Sequence, residues 1–235
     1  MLIPILISIL AGYCLGALPF GYVVSRAKGI NIFEEGSKNP GATNVLRVLS
    51  ARFGRPGKRL GLMVFGLDAL KGAAATGWPI LAHCIGSWDC YCSHWDVLSL
   101  IGLAAALLGH CFSCFTGFKG GKGVATGAGG LLVLMPASIL VGLLVWLLAF
   151  GSTRYVSLAS MLATLSLPVS GYVMWCAWDL PPLSAVILSS FIFIFVVVRH
   201  RTNIKRLLNG TEHKFARDGT GTPCPDSVDL SGSFK

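Results

Sequence analysis

This sequence predicts an all-α polytopic membrane protein with about seven transmembrane helices, and three observations carry the prediction. Of its 235 residues, 54% are hydrophobic and only 12% are charged, against about a quarter charged in a soluble domain. Apolar runs of about 18 residues or more, enough to cross a hydrocarbon core of roughly 30 Å, recur along the chain. The basic residues gather at the ends of those runs, as in loops retained on the cytoplasmic side. One integral membrane domain over residues 1–214 follows. Residues 215–235, rich in Gly, Thr, Pro and Ser, are expected to form a disordered cytoplasmic tail. The net charge of +9 sits at span ends, so it points to phosphate-bearing substrates and anionic headgroups and away from nucleic acid.

The first span covers residues 2–24. No basic residue precedes it and Arg26 and Lys28 follow it, so it reads as a retained span with the amino terminus outside and not as a removable signal. A polar, basic segment, 25–59, comes next. A second apolar run, 60–83, returns outward, and a third, 95–115, comes back in. The glycine- and lysine-rich stretch 116–126 then faces the cytoplasm. Three further runs, 127–150, 156–178 and 182–198, precede the basic RHRTNIKR, which places the carboxyl terminus in the cytoplasm. Three crossings cannot join two cytoplasmic ends, so one run must be re-entrant or split. Pro136 and Pro168 are the break points, because proline lacks a backbone donor and clashes with the preceding turn. Of the 19 Lys and Arg, only Lys71 and Arg154 fall off the inner side in this topology.

Cys14, Cys111, Cys114 and Cys176 lie in or beside apolar runs, where a thiol acts as a small apolar group. Cys84, Cys90 and Cys92 share the outer loop HCIGSWDCYCSHW with His83 and His94. No zinc-type spacing occurs there, so a disulfide with one spare thiol is the expectation, with free thiols as the alternative.

Three polar segments on the inner face are denser in chemistry than connecting loops need. GSKNPGATNVLR, residues 36–47, sets Ser37, Asn39, Thr43, Asn44 and Arg47 around a Pro40-Gly41 turn. Arg47 suits bidentate phosphate binding. The competing reading is a turn and helix cap with one more inner-side charge. GFKGGKGVATGAGG, residues 117–130, offers Lys119, Gly120, Gly121, Lys122 and Gly123. Its glycines let backbone N–H groups approach an anion, and a following helix adds its positive end. It is not a nucleotide loop, since Gly123 follows Lys122 where a magnesium-binding hydroxyl would stand. A phosphate monoester without metal or other cofactor fits better, and small-residue helix packing is the competing reading. RHRTNIKRLLNGTEHK, residues 199–214, puts His200 and Asn203 three apart on one helix face. Leu207 and Leu208 beside Lys205 and Arg206 read as an interfacial turn, and Glu212 as a structural partner of the surrounding charges.

Asp68 and Lys71 lie three apart inside the second run. Each costs roughly 2.5–3.5 kcal/mol near mid-helix on insertion scales, so mutual pairing is expected. His110, ending the third run, is a candidate substrate contact or a hydrogen-bonded interface residue.

In the order GSKNPGATNVLR, GHCFSCFTGFKGGKGVATGAG and RHRTNIKRLLNGTEHK, with LDALKG at residues 67–72, the chain resembles the bacterial acyl-phosphate:glycerol-3-phosphate acyltransferases (PlsY). The resemblance implies a seven-helix protein of the bacterial inner membrane, its active site facing the cytoplasm. It also implies acyl transfer from a fatty acyl phosphate to the 1-hydroxyl of glycerol-3-phosphate, giving lysophosphatidic acid. Carried onto this sequence, Ser37 and Arg47 are essential, with Asn39, Thr43 and Asn44 lining the site. The glycine loop with Lys119 and Lys122 holds the glycerol-3-phosphate phosphate, and His200 and Asn203 complete the catalytic face. The stretch ARFGRPGKR is long for the family, and the cysteine-bearing loop and the tail look like additions.

An acyl phosphate carries a good leaving group, so positioning and charge stabilisation can supply most of the catalysis. No base stands at a spacing that would activate Ser37 as a nucleophile. Two readings compete. His213 and Asp218 match the His-x4-Asp spacing of thioester-dependent acyltransferases, but in a polar tail. A phosphate or organic-anion transporter accounts for the glycines, lysines and intramembrane charges, but not for three dense motifs on one face.

Overall fold

The computed structural model describes residues 2–84 and 95–215. The described residues form helices α1 (Leu2–Ala17), α2 (Phe20–Arg26), α3 (Ala42–Cys84), α4 (Trp95–Cys111), α5 (Val124–Leu134), α6 (Pro136–Thr153), α7 (Val156–Trp178), α8 (Leu183–Arg199) and α9 (Arg201–Leu208), with a 3₁₀ turn at Cys114–Thr116. There is no strand among them. Five stretches are long and apolar enough to cross a membrane: Leu2–Arg26, Ala42–Ala82, Trp95–Thr116, Pro136–Thr153 and Val156–Trp178. A sixth joins α8 to α9 across a 59° bend. The protein is thus an all-α polytopic membrane protein. Any disulfide among Cys84, Cys90 and Cys92 needs Cys90 or Cys92, and the His213–Asp218 pair needs Asp218, all three outside the described residues.

Each departure from the expected runs has a local cause. The first span breaks between α1 and α2, where Pro19 follows Leu18 and the freed Leu18 carbonyl accepts a hydrogen bond from Lys71 Nζ at 2.9 Å. Helix α3 begins at Ala42, inside the segment expected to be polar, because Val45, Val48 and Leu49 bury against Ile30, Ile32 and Val64. It bends at Gly54, whose φ of 60° and ψ of −132° suit glycine alone. The run 127–150 is the split one. It breaks at Met135, and Pro136 takes the first position of α6, where its missing N–H costs nothing. Pro168 stays inside α7.

The helices pack through small residues that let backbones touch. A Cβ on Gly16 would stand 2.1 Å from the Ala106 carbonyl oxygen, joining α1 to α4. A Cβ on Gly72 would stand 2.0 Å from the Thr126 oxygen, and one on Gly129 1.9 Å from the Ala69 oxygen, joining α3 to α5. Leu103, Leu107, Leu131, Met135, Leu167, Ile192 and Val196 fill the centre between α4, α5, α7 and α8.

Two contacts tie the α6–α7 turn to the end of the described chain. Arg154, expected off the basic face, lies beside the end of the described chain: its carbonyl accepts the Phe215 N–H at 3.1 Å. The break at Pro136 brings α6 back to that face. Phe215, assigned to the tail by composition, is packed and only 8% exposed.

Candidate active site

The first motif is a turn shaped by its own amides. Asn44, in the first turn of α3 and 3% exposed, accepts the Ser37 N–H on Oδ1 at 2.9 Å and donates from Nδ2 to the Glu35 carbonyl at 3.0 Å. Asn39 Oδ1 accepts the Gly41 N–H at 2.8 Å, the local closure that suits Asn to turns. Asn39 and Asn44 therefore set the backbone that presents Ser37. Thr43 and Arg47, four apart at the start of α3, share a face. The Arg47 guanidinium lies over the Phe215 ring, 5.1 Å from its centroid. Among the described residues, neither a histidine nor a carboxylate hydrogen-bonds to Ser37 Oγ.

The glycine loop is clamped from two sides. Gly121 donates its N–H to the His110 carbonyl at 3.2 Å, while Arg199 Nη2 donates to the Gly121 and Gly120 carbonyls at 2.8 and 3.3 Å. Only glycine fits so close. A Cβ at Gly120 would stand 2.1 Å from the His110 oxygen, and one at Gly121 2.2 Å from His110 Nε2. Gly123, with φ of 82°, turns the chain into α5. The two lysines part here. Lys119 is exposed and lines a small cleft with Asp68, Lys71 and His110. Lys122 turns inward and donates from Nζ to Asn203 Oδ1 at 2.5 Å.

His200 and Asn203 sit at the α8–α9 bend, 3% and 6% exposed. His200 Nδ1 faces the Val196 carbonyl at 2.8 Å. A carbonyl only accepts, so this nitrogen carries the proton and Nε2 keeps the lone pair. Asn203 Nδ2 donates to Glu212 Oε1 at 2.6 Å, and Ser157 Oγ donates to the same oxygen at 2.7 Å. Burial pushes the Lys122 amine down to about 8, against the opposing pull of Glu212 and with help from the nearby charges of Arg206, Arg47 and Arg199. One residue from each motif, Arg47, Lys122 and Asn203, thus belongs to a single electrostatic cluster.

Beside it, Asp68 pairs with Lys71 at 2.9 Å, as expected, and lies 3.6 Å from His110 Nδ1. Lys71 also stands over the Phe20 ring at 5.5 Å. His110 therefore braces the loop through its carbonyl and its ring. Among the described residues no three His, Cys, Asp or Glu side chains form a metal-ligand group. Sequence reasoning missed the Arg199 clamp, which lies inside the third motif, and also Ser157 and Phe215, single residues without periodic or compositional signal.

The family model described as glycerol-3-phosphate acyltransferase matches residues 6–210. The chain belongs to this family. It is 41% identical over 214 residues to the glycerol-3-phosphate acyltransferase of Aquifex aeolicus, covering 89% of this chain and 98% of that protein. To the enzyme of the same name from Acholeplasma laidlawii it is 37% identical, over 91% of this chain and 94% of that one. It is also similar to the crystal structure of PlsY (YgiH), an integral membrane glycerol 3-phosphate acyltransferase, in its glycerol 3-phosphate form. The TM-score is 0.74 at 37% identity, over 90% of this chain and 96% of that one. The lysophosphatidic acid form of the same enzyme gives a TM-score of 0.73. A glycerol-3-phosphate acyltransferase, and not an anion transporter, is the protein these matches describe.

Proposed function

We propose that this acyltransferase takes its acyl group from a fatty acyl phosphate and delivers it to the 1-hydroxyl of glycerol-3-phosphate at the cytoplasmic face of a bacterial inner membrane. The observation that carries the reading is the convergence of Arg47, Lys122 and Asn203, a cationic cluster suited to two phosphate-bearing substrates. The hydroxyl oxygen attacks the acyl carbon and forms the ester bond. The bond from that carbon to the phosphate oxygen breaks, and inorganic phosphate leaves. The hydroxyl proton passes to Nε2 of His200 or directly to the departing phosphate. Arg47, Lys122 and the glycine-loop N–H groups other than that of Gly121 hold the phosphates and offset the charge developing on the carbonyl oxygen. Ser37, presented on its turn, serves as a hydrogen-bond donor and not as a covalent nucleophile.

The length of α5 supports a lipid-borne donor. Helix α5 has 11 residues, about 16 Å at 1.5 Å per residue, roughly half the hydrocarbon thickness. If α5 is the seventh crossing, the glycine loop at its amino end is recessed toward the acyl chains. With the amino terminus outside, seven crossings leave all three motifs and the carboxyl terminus inside.

The test is product formation by purified protein in detergent. Palmitoyl phosphate with labelled glycerol-3-phosphate is run beside palmitoyl-CoA and an acyl carrier protein thioester. Lysophosphatidic acid from the acyl phosphate alone is expected. Product from a thioester alone would refute the donor assignment.

A further inference from the structure

Phe215 lies beyond the family match, which ends at residue 210, in a polar stretch without periodicity. Nonetheless, the chain delivers it to the active site along a short, well-tied strap. Glu212 is held by Asn203 and Ser157. The Lys214 ammonium stands over the Tyr155 ring at 5.1 Å. The Phe215 N–H donates to the Arg154 carbonyl at 3.1 Å. The ring then meets Phe150 edge-on, with centroids 6.0 Å apart and planes at 72°. One contact fixes its orientation against the protein and leaves a ring face to the Arg47 guanidinium, 5.1 Å from the centroid.

We propose that Phe215 is a positioning residue for the acyl transfer: the Arg47 guanidinium, seated over its ring, is held where it can meet a substrate phosphate. A guanidinium over an aromatic face is attracted by the ring quadrupole, a contact that uses up none of its N–H donors. Stacking also removes rotamer freedom that phosphate binding would otherwise have to remove. The strap ties this aim to the other motifs, because Glu212 is bonded to the same Asn203 that receives Lys122. The inference rests on Arg47 being a substrate ligand, as proposed above.

The experiment measures KM for glycerol-3-phosphate and for palmitoyl phosphate, kcat and Tm in Phe215→Leu, Phe215→Tyr and Arg47→Ala. It adds a series with mono-, di- and trifluorophenylalanine at position 215, which weakens the ring face with little change in size. Phe215→Leu is expected to raise the KM of one phosphate substrate roughly three- to tenfold, with kcat within about twofold and Tm nearly unchanged. Phe215→Tyr should stay near the parent, and KM should climb with each added fluorine. A KM indifferent to fluorination overturns the proposal, as does equal impairment of the Leu and Tyr variants in kcat and Tm together. Should Phe215→Leu not fold, the fluorinated series alone decides. Full activity in Arg47→Ala would instead overturn the role given to Arg47, and is told apart because Phe215 is intact there.

Discussion

Lys122 has two calls on its charge. Burial disfavours the ammonium and moves its pKa down to about 8, while a bound phosphate dianion favours it. The sign follows directly. Below about pH 8 the amine is charged before substrate arrives, and binding needs no proton. Above it, binding must draw a proton from solvent, so affinity falls as pH rises. Below about pH 6 the substrate phosphate dianion takes up a proton, becomes a monoanion, and the attraction weakens from the other side. KM for glycerol-3-phosphate should therefore be lowest between about pH 6 and 8 and rise on the alkaline side. In Lys122→Arg the guanidinium stays charged across this range, so the alkaline rise should disappear, whatever the cost to the Asn203 contact. KM profiles from pH 5.5 to 9.5 test this, and an unchanged alkaline rise in the Arg variant would assign it to another group.

The α3–α5 seam bears on the proposed site because α5 carries the glycine loop at its amino end. Gly123 and Gly127, four apart, have the spacing of a small-residue packing seam, and the structure puts the close contact elsewhere. A Cβ on Gly127 would find Ile192 Cγ2 at an ordinary 3.5 Å, while one on Gly129 would meet the Ala69 backbone oxygen at 1.9 Å. Gly129→Ala should destabilise the protein by about 1–3 kcal/mol, the usual cost of overpacking, and Gly127→Ala by much less, measured as detergent melting temperatures. Similar melting shifts in both would contradict the seam. What was legible in the sequence follows the same logic. Long apolar runs and the chemistry of three motifs could be read because each repeats a signal over many residues. The amino-terminal part of α3 could not be read from charge, since Arg47 and Arg52 stand among Val45, Val48 and Leu49, whose spacing marks the buried face. Phe215 had no neighbours with which to form a pattern, and its place is set by tertiary contacts alone. The motif amides were legible as candidates, but their work in holding the turn needed coordinates.

At the scale of the whole chain, the break at Met135–Pro136 decides how the membrane is crossed. The expected topology left an odd number of runs between two cytoplasmic ends, and splitting 127–150 makes it even. The contacts of Arg154 with Phe215 and of Ser157 with Glu212 place the α6–α7 turn on the same face as α9. Two arrangements satisfy both facts. Either α5 and α6 each cross, or they form one re-entrant pair and their junction never reaches the outer surface. The shortness of α5 permits the second arrangement, while the 18-residue length and apolar character of α6 favour the first. The two differ at Ala137, which is exposed beside the junction. In a chain whose eight cysteines are replaced by alanine or serine, Ser152→Cys should react with a membrane-impermeant maleimide only in inside-out vesicles. Ala137→Cys should react only in right-side-out ones. Protection of Ala137→Cys from both sides would make the pair re-entrant and reduce the crossings to five. Labelling of Ser152→Cys from outside would break the shared face that brings Arg154, Ser157 and Phe215 to the proposed site.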